Sequence, residues 1–228
     1  MLFIRPIIML MLAMCWANTV IAGMSATPTR LIYSEKDKSN TITIKNTGKN
    51  VFLASAKIEG DGINYFTITP PLIRVEPESK FSLRIKKISI DKLPDDKESV
   101  FYYTVTMITG SEKPEHLANR IAIGSKFWFK LFYRPKKIGK FDSRRCDLVF
   151  NNTTSGVYVL NRTPFYSTFV YLAVDGVRVD LSPEQAMIAP NKSSYISKAK
   201  NAKTIEWSRI NDFGGIENKC MFSLMEKK

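Results

Sequence analysis

Two antiparallel β-sandwiches in tandem are the fold this sequence predicts, an all-β class, and three observations predict it. Short runs alternate apolar and polar residues with the period of a strand, turn clusters separate the runs at close intervals, and helical periodicity is scarce. Length agrees, because about 200 residues beyond the N-terminal segment suffice for one large domain or two small ones, and the strand series breaks once.

Residues 1–22 read as an export signal peptide. Arg5 supplies the positive start, and Ile7 to Ala17 is apolar but too short to span a bilayer comfortably. Val20-Ile21-Ala22 places small residues before a cut, so the mature chain is expected to begin at Gly23. A membrane anchor is the competing reading. Leu12-Ala13-Met14-Cys15 hints at a lipoprotein site, but Met14 is too bulky before the cysteine.

The first domain is expected over residues 23–138. Thr41 to Asn46 alternates and ends at the turn cluster Thr47-Gly48-Lys49-Asn50, after which Val51 to Ile58 resumes. Phe66 to Thr69 is stopped by Pro70-Pro71, and Phe81 to Ile85 and Val100 to Met107 alternate again. Gly110 to His116 is a polar loop. Beyond it, Asn119, Ile121, Ile123, Ser125, Phe127 and Phe129 share one face of a strand, and Arg120, Ala122, Gly124, Lys126, Trp128 and Lys130 share the other. Core packing accounts for Phe127 and Phe129. Ile121 and Ile123 lie nearer the loop and extend past the core, and an apolar strand edge of that kind is a hazard unless it completes a partner's sheet. The strand closes in Lys130-Leu131-Phe132-Tyr133-Arg134-Pro135, where the proline stops the pairing.

Lys136 to Lys140 has the basic, turn-like composition of a linker, and a second β domain is expected over residues 139–228. Its runs are Cys146 to Phe150, Gly156 to Leu160, Thr168 to Val174 and Ser194 to Ile196, with a short helical turn at Ser182-Pro183-Glu184-Gln185.

The formal charge of +13 suits an anionic partner or surface. Export and the scatter of the charge argue against nucleic acid. Of the three cysteines, Cys15 leaves with the signal. Cys146 and Cys220 either form a disulfide, the common outcome in an oxidising compartment, or remain two separate buried thiols. Without Cys-x-x-Cys there is no indication of a metal site, and no cofactor motif is visible. Gly-x-Ser-x-Gly, P-loop and His-Glu-x-x-His patterns are absent, the single His116 sits in a charged loop, and Glu112 and Glu115 are loosely spaced there. The chain is not expected to be an enzyme.

Six segments in order resemble the PapD-like periplasmic pilus chaperones. They are Thr29-Arg30; Thr69-Pro70-Pro71 with Arg74 and Pro77; Lys92 to Ser99; Lys130 to Pro135; Thr163 to Tyr166; and Ile210-Asn211-Asp212-Phe213-Gly214-Gly215. The resemblance covers nearly all the mature chain. It implies two immunoglobulin-like domains arranged as a boomerang, with Arg30 and Lys130 in the cleft holding the C-terminal carboxylate of a fimbrial subunit. It implies donor-strand complementation, with Ile121 and Ile123 entering the subunit's incomplete sandwich and Ser125 standing where an aliphatic residue is usual. It also implies an interdomain charge cluster of Glu98, Arg134 and Asp212, periplasmic action and delivery of the subunit to an outer-membrane usher. Two proline positions of some relatives are Thr109 and Gly110 here, and the loop is closer to the short-loop FGS class than to the FGL class. The pairing of Cys146 with Cys220 and self-association of the free protein stay open. The alternative is a secreted immunoglobulin-like structural or adhesive protein without chaperone activity.

Overall fold

The computed structural model describes residues 23–109, 124–142 and 144–224. The expected signal peptide, the loop from Gly110 to His116, and Ile121 and Ile123 lie outside the described residues.

Among the described residues nine strands build the first sandwich: β1 (Met24–Thr27), β2 (Arg30–Ser34), β3 (Asn40–Asn46), β4 (Phe52–Glu59), β5 (Phe66–Thr69), β6 (Leu72–Val75), β7 (Lys80–Lys87), β8 (Ser99–Thr109) and β9 (Gly124–Arg134). They form a sheet ordered β1-β3-β7-β5 against a sheet ordered β2-β9-β8-β4-β6. Alternation decides which side chains meet between them. Ile42 and Ile44 of β3, Leu83 and Ile85 of β7, and Tyr103, Val105 and Met107 of β8 are fully buried, while the residues alternating with them point to the outer faces of the sheets. Tyr103 is buried deeply enough that desolvation pushes its phenol well up, and its hydroxyl donates to the Pro28 carbonyl at 2.8 Å.

The second sandwich contains β10 (Leu148–Thr153), β11 (Gly156–Asn161), β12 (Ser167–Val174), β13 (Val177–Arg178), β14 (Met187–Ile188), β15 (Lys192–Ser197), β16 (Thr204–Arg209) and β17 (Cys220–Ser223). A β10-β11-β15 sheet faces a β13-β12-β16-β17 sheet to which β14 adds through β12. Its core gathers around Trp207, whose ring lies 4.7 Å from that of Phe150. A short α-helix, α1 (Pro183–Ala186), has a capping box: Ser182 accepts from the Gln185 N–H and the Gln185 side chain accepts from the Ser182 N–H.

Each sandwich is plugged at a strand end by a buried asparagine. Asn46 donates to the carbonyls of Asn50, Val75 and Glu76, and Asn161 donates to those of Phe165, Ile188 and Ala189. A buried amide satisfies loop carbonyls that would otherwise lack partners. Cys146 and Cys220 are bonded, with Cα atoms 5.6 Å apart and 74 residues of separation, so the segment entering the second sandwich is tied to its last strand. Arg209 reinforces the same segment, donating to the Asp147 carboxylate at 2.8 Å and to the Arg145 carbonyl.

Candidate functional site: a cationic strand end between the sandwiches

β2 is the one described strand of its sheet that runs parallel to its partner, and it pairs with β9 so that Arg30 stands opposite Lys130. Residues of odd number in both strands, Leu31 and Tyr33 with Leu131 and Tyr133, turn into the core. The even-numbered ones therefore share the outer face: Arg30, Ile32 and Ser34 beside Lys130, Phe132 and Arg134. That face looks toward the second sandwich, as Phe132 meets Tyr166 with ring centroids 5.6 Å apart.

Arg30 is buried. Its guanidinium lies 3.9 Å over the Phe132 ring and donates to the Thr168 hydroxyl at 3.4 Å, while its Nε is buried without a hydrogen-bond partner. Burial pulls its pKa down, with Glu98 and Asp212 acting in the opposite sense and Arg134 adding to the fall. Lys130 is partly buried, and desolvation together with Arg30 pulls its ammonium below the usual lysine range. Among the described residues neither cation forms an ion pair with a carboxylate. Two adjacent cations, one buried with an unspent donor, make a receptor for an anion that brings its own negative charge.

β2 starts at Arg30, so it covers the edge of β9 only from Lys130 onward. Among the described residues no strand pairs with that edge over residues 124–129, although β8 covers the opposite edge. Gly124 to Trp128 are exposed accordingly. Ser125 lies in this stretch, opposite Met107. Phe129 is in the core as expected, but Phe127 is 41% exposed. The apolar pattern of Phe127 is local, whereas its burial needs a flanking strand that β2 begins too late to provide.

The three charges expected between the domains come together. Arg134 donates from Nε and Nη2 to one Glu98 oxygen at 2.9 and 2.7 Å, and from Nη1 and Nη2 to Asp212 at 2.7 and 2.8 Å. The other Glu98 oxygen accepts from the Tyr166 N–H at 2.8 Å. Burial pushes the Glu98 carboxyl up, opposed by Arg134 and that N–H. For Arg134 burial acts against the charge, but the bonds to Asp212 and the charge of Glu98 outweigh it and the net direction is up. Asp212 is presented by a loop that Asn211 folds, accepting from the N–H groups of Phe213 and Gly215. Strand β9 thus carries Lys130 and Arg134 on one face, so the cluster and the cationic pair share one rigid element.

Sequence reasoning passed over Phe132 and Thr168 as neighbours of Arg30, and over Arg209. No periodic signal marks them, since their partners are distant in the chain. Trp128 did carry a signal: it is a large aromatic on the polar face of an alternating strand, two positions before Lys130.

Residues 23–139 match the N-terminal domain of the PapD pili and flagellar-assembly chaperones, and residues 145–220 match the C-terminal domain of the PapD pili-assembly chaperones. The chaperone protein HifB of Haemophilus influenzae is 34% identical over 218 residues, 87% of this chain and 85% of that protein. The chaperone protein PapD of Escherichia coli is 32% identical over 204 residues, 85% of this chain and 84% of that protein. In the crystal structure of the CupB2 chaperone of Pseudomonas aeruginosa the likeness has a TM-score of 0.70 at 28% identity, over 88% of this chain and 100% of that one.

Proposed function

Because this chain belongs to the PapD family of pilus-assembly chaperones, a family that assembles subunits without enzymatic chemistry, we propose that it captures unassembled fimbrial subunits through the unpaired edge of β9 and anchors their C-terminal carboxylate on Arg30 and Lys130. The observation that carries this reading is that a strand edge without a partner among the described residues runs directly into two cations without a carboxylate. Direction follows from β2. A subunit strand laid along residues 124–129 in the same sense as β2 ends its chain where Arg30 begins, placing a carboxylate between the two cations. Each charge-assisted bond formed there is worth about 1.5–3 kcal/mol, and Arg30 has already been desolvated by folding.

Main-chain pairing along the edge supplies affinity for any extended segment, and the carboxylate contact limits binding to a chain end. Ile121 and Ile123, four and two positions before Ser125 in the alternating sequence, are the residues we assign to filling the subunit's incomplete sandwich, with Ser125 giving a polar third position. Glu98, Arg134 and Asp212 set the angle at which the two domains, divided near residue 138, present this edge. The chaperone acts in the periplasm after removal of residues 1–22, hands the subunit to an outer-membrane usher, and binds no nucleic acid.

The test is co-expression with fimbrial subunits in the periplasm and recovery of complexes by wild type, Arg30→Ala and Lys130→Ala. A one-to-one complex with wild type and none with either folded variant is expected. Equal recovery with both variants would remove the anchor assignment.

A further inference from the structure

Trp128 is 59% exposed, on the same face of β9 as Lys130 and two residues earlier. Adjacent same-face residues of a strand are about 7 Å apart, so the indole stands one side-chain step from the cationic pair. Its ring is held in place: the Lys126 ammonium lies 4.8 Å over it, and Lys126 is itself bound to Glu59 at 3.1 Å. Glu59 in turn accepts from the Thr104 hydroxyl at 2.8 Å, and Thr104 is the residue opposite Trp128 on β8. Tyr102, opposite Lys130, is also exposed on this face. A chain of fixed contacts thus supports a large aromatic surface beside the β9 edge, which has no partner strand there among the described residues.

We propose that Trp128 is a side-chain-reading contact for the captured subunit, taking a bulky apolar residue close to the subunit's C-terminus. The inference rests on the binding mode given under Proposed function. In a parallel pair, residues opposite each other point to the same face, as Arg30 and Lys130 do. The subunit residue opposite Trp128 therefore directs its side chain beside the indole once the carboxylate is seated. An apolar partner fits and a basic one does not. The ring already carries the Lys126 cation, and Arg30 and Lys130 lie along the same face, so a further positive group is repelled while an apolar one removes indole surface from water. The carboxylate contact recognises any free chain end. Trp128 adds discrimination among chain ends.

The experiment uses the export-processed protein labelled with 5-fluorotryptophan. Beyond residue 22 the sequence holds two tryptophans, Trp128 and Trp207, and Trp207 is fully buried in the second core. On binding an unlabelled fimbrial subunit, the Trp128 fluorine resonance is expected to move and lose its solvent isotope shift, while that of Trp207 stays. Trp128→Ala is expected to weaken the complex about tenfold or more, as aromatic anchors do, with Trp128→Phe retaining most of the affinity. Subunit variants with each residue of the terminal strand changed to alanine identify the partner: one outward-facing position should couple with Trp128→Ala in a double-mutant cycle. A Trp128 resonance unchanged by binding, or the absence of coupling at every position, would overturn the inference. Lys130→Ala is scored separately. If it abolishes capture while Trp128 stays solvent-exposed in the wild-type complex, the anchor survives and this contact does not. If it leaves capture intact, the anchor reading itself fails.

Discussion

Substituting methionine for Arg134 removes four hydrogen bonds at once and isolates what Glu98 contributes to the interface. The Glu98 side chain is 0% exposed and that of Asp212 is 25% exposed, so the two carboxylates respond differently. Asp212 rehydrates, and Asp212→Asn alone is expected to cost about 1 kcal/mol. Glu98 is left with the Tyr166 N–H as its remaining bond, and removing the partner of a buried charge costs about 3–5 kcal/mol. Protonation limits that loss. Burial already pushes the Glu98 carboxyl up, and without Arg134 it rises further above its unfolded value of about 4.3. The folded variant then holds a proton that the unfolded chain releases, so its stability is greatest below the unfolded value and declines as pH rises through the folded one. Urea unfolding at about pH 5 and about pH 8 reads this directly, with Arg134→Met losing more at the higher pH. Glu98→Leu combined with Arg134→Met should recover most of the stability, because an apolar replacement leaves no buried charge. Small-angle scattering of the same double variant should show a wider spread of interdomain angles. A loss for Arg134→Met no larger than for Asp212→Asn, or equal at both pH values, would refute the argument.

Arg30→Met should abolish subunit capture yet leave the free protein as stable as wild type or more so in thermal unfolding, because an incompletely bonded buried cation is removed. Lys130 gives two opposite pH responses. Its depressed pKa means the folded free protein binds fewer protons than the unfolded chain between that value and about 10.4, so stability rises with pH through this window. Carboxylate binding needs the charged form, so calorimetric affinity for a subunit should fall over the same window and be accompanied by proton uptake; constant affinity there would count against Lys130 as an anchor. Replacing Cys146 and Cys220 by serine opens a loop of 74 residues, for which chain entropy sets an upper loss of about 4.5 kcal/mol in the second sandwich. Trp207 fluorescence should report the lower unfolding midpoint.

The strands legible in the sequence were those whose alternation is long enough to be seen locally. Asn40–Asn46, Phe52–Glu59 and Ser99–Thr109 follow the period-two pattern, and their turn clusters end them. β2, β6, β16 and β17 are short, and they become strands because a distant strand offers them hydrogen bonds. Resemblance to a family brought Arg30 and Lys130 forward together. Composition alone would have left one as a surface cation near the mature N-terminus and the other as a strand-end charge.

What the sequence by itself determined is therefore the class of fold, the approximate places of its longer strands and the absence of recognisable enzyme motifs, since alternation, turn chemistry and motif spacing are properties of neighbouring residues. The tertiary structure decided the rest. It bonded Cys146 to Cys220 across 74 residues, set Arg30 against Lys130 in a parallel register, and buried Glu98 against Arg134. It also left Phe127 and Trp128 in solvent. Burial depends on which strand arrives alongside, and that strand is specified elsewhere in the chain, so the same apolar residue reads as core in the sequence and stands exposed where β2 has not yet begun.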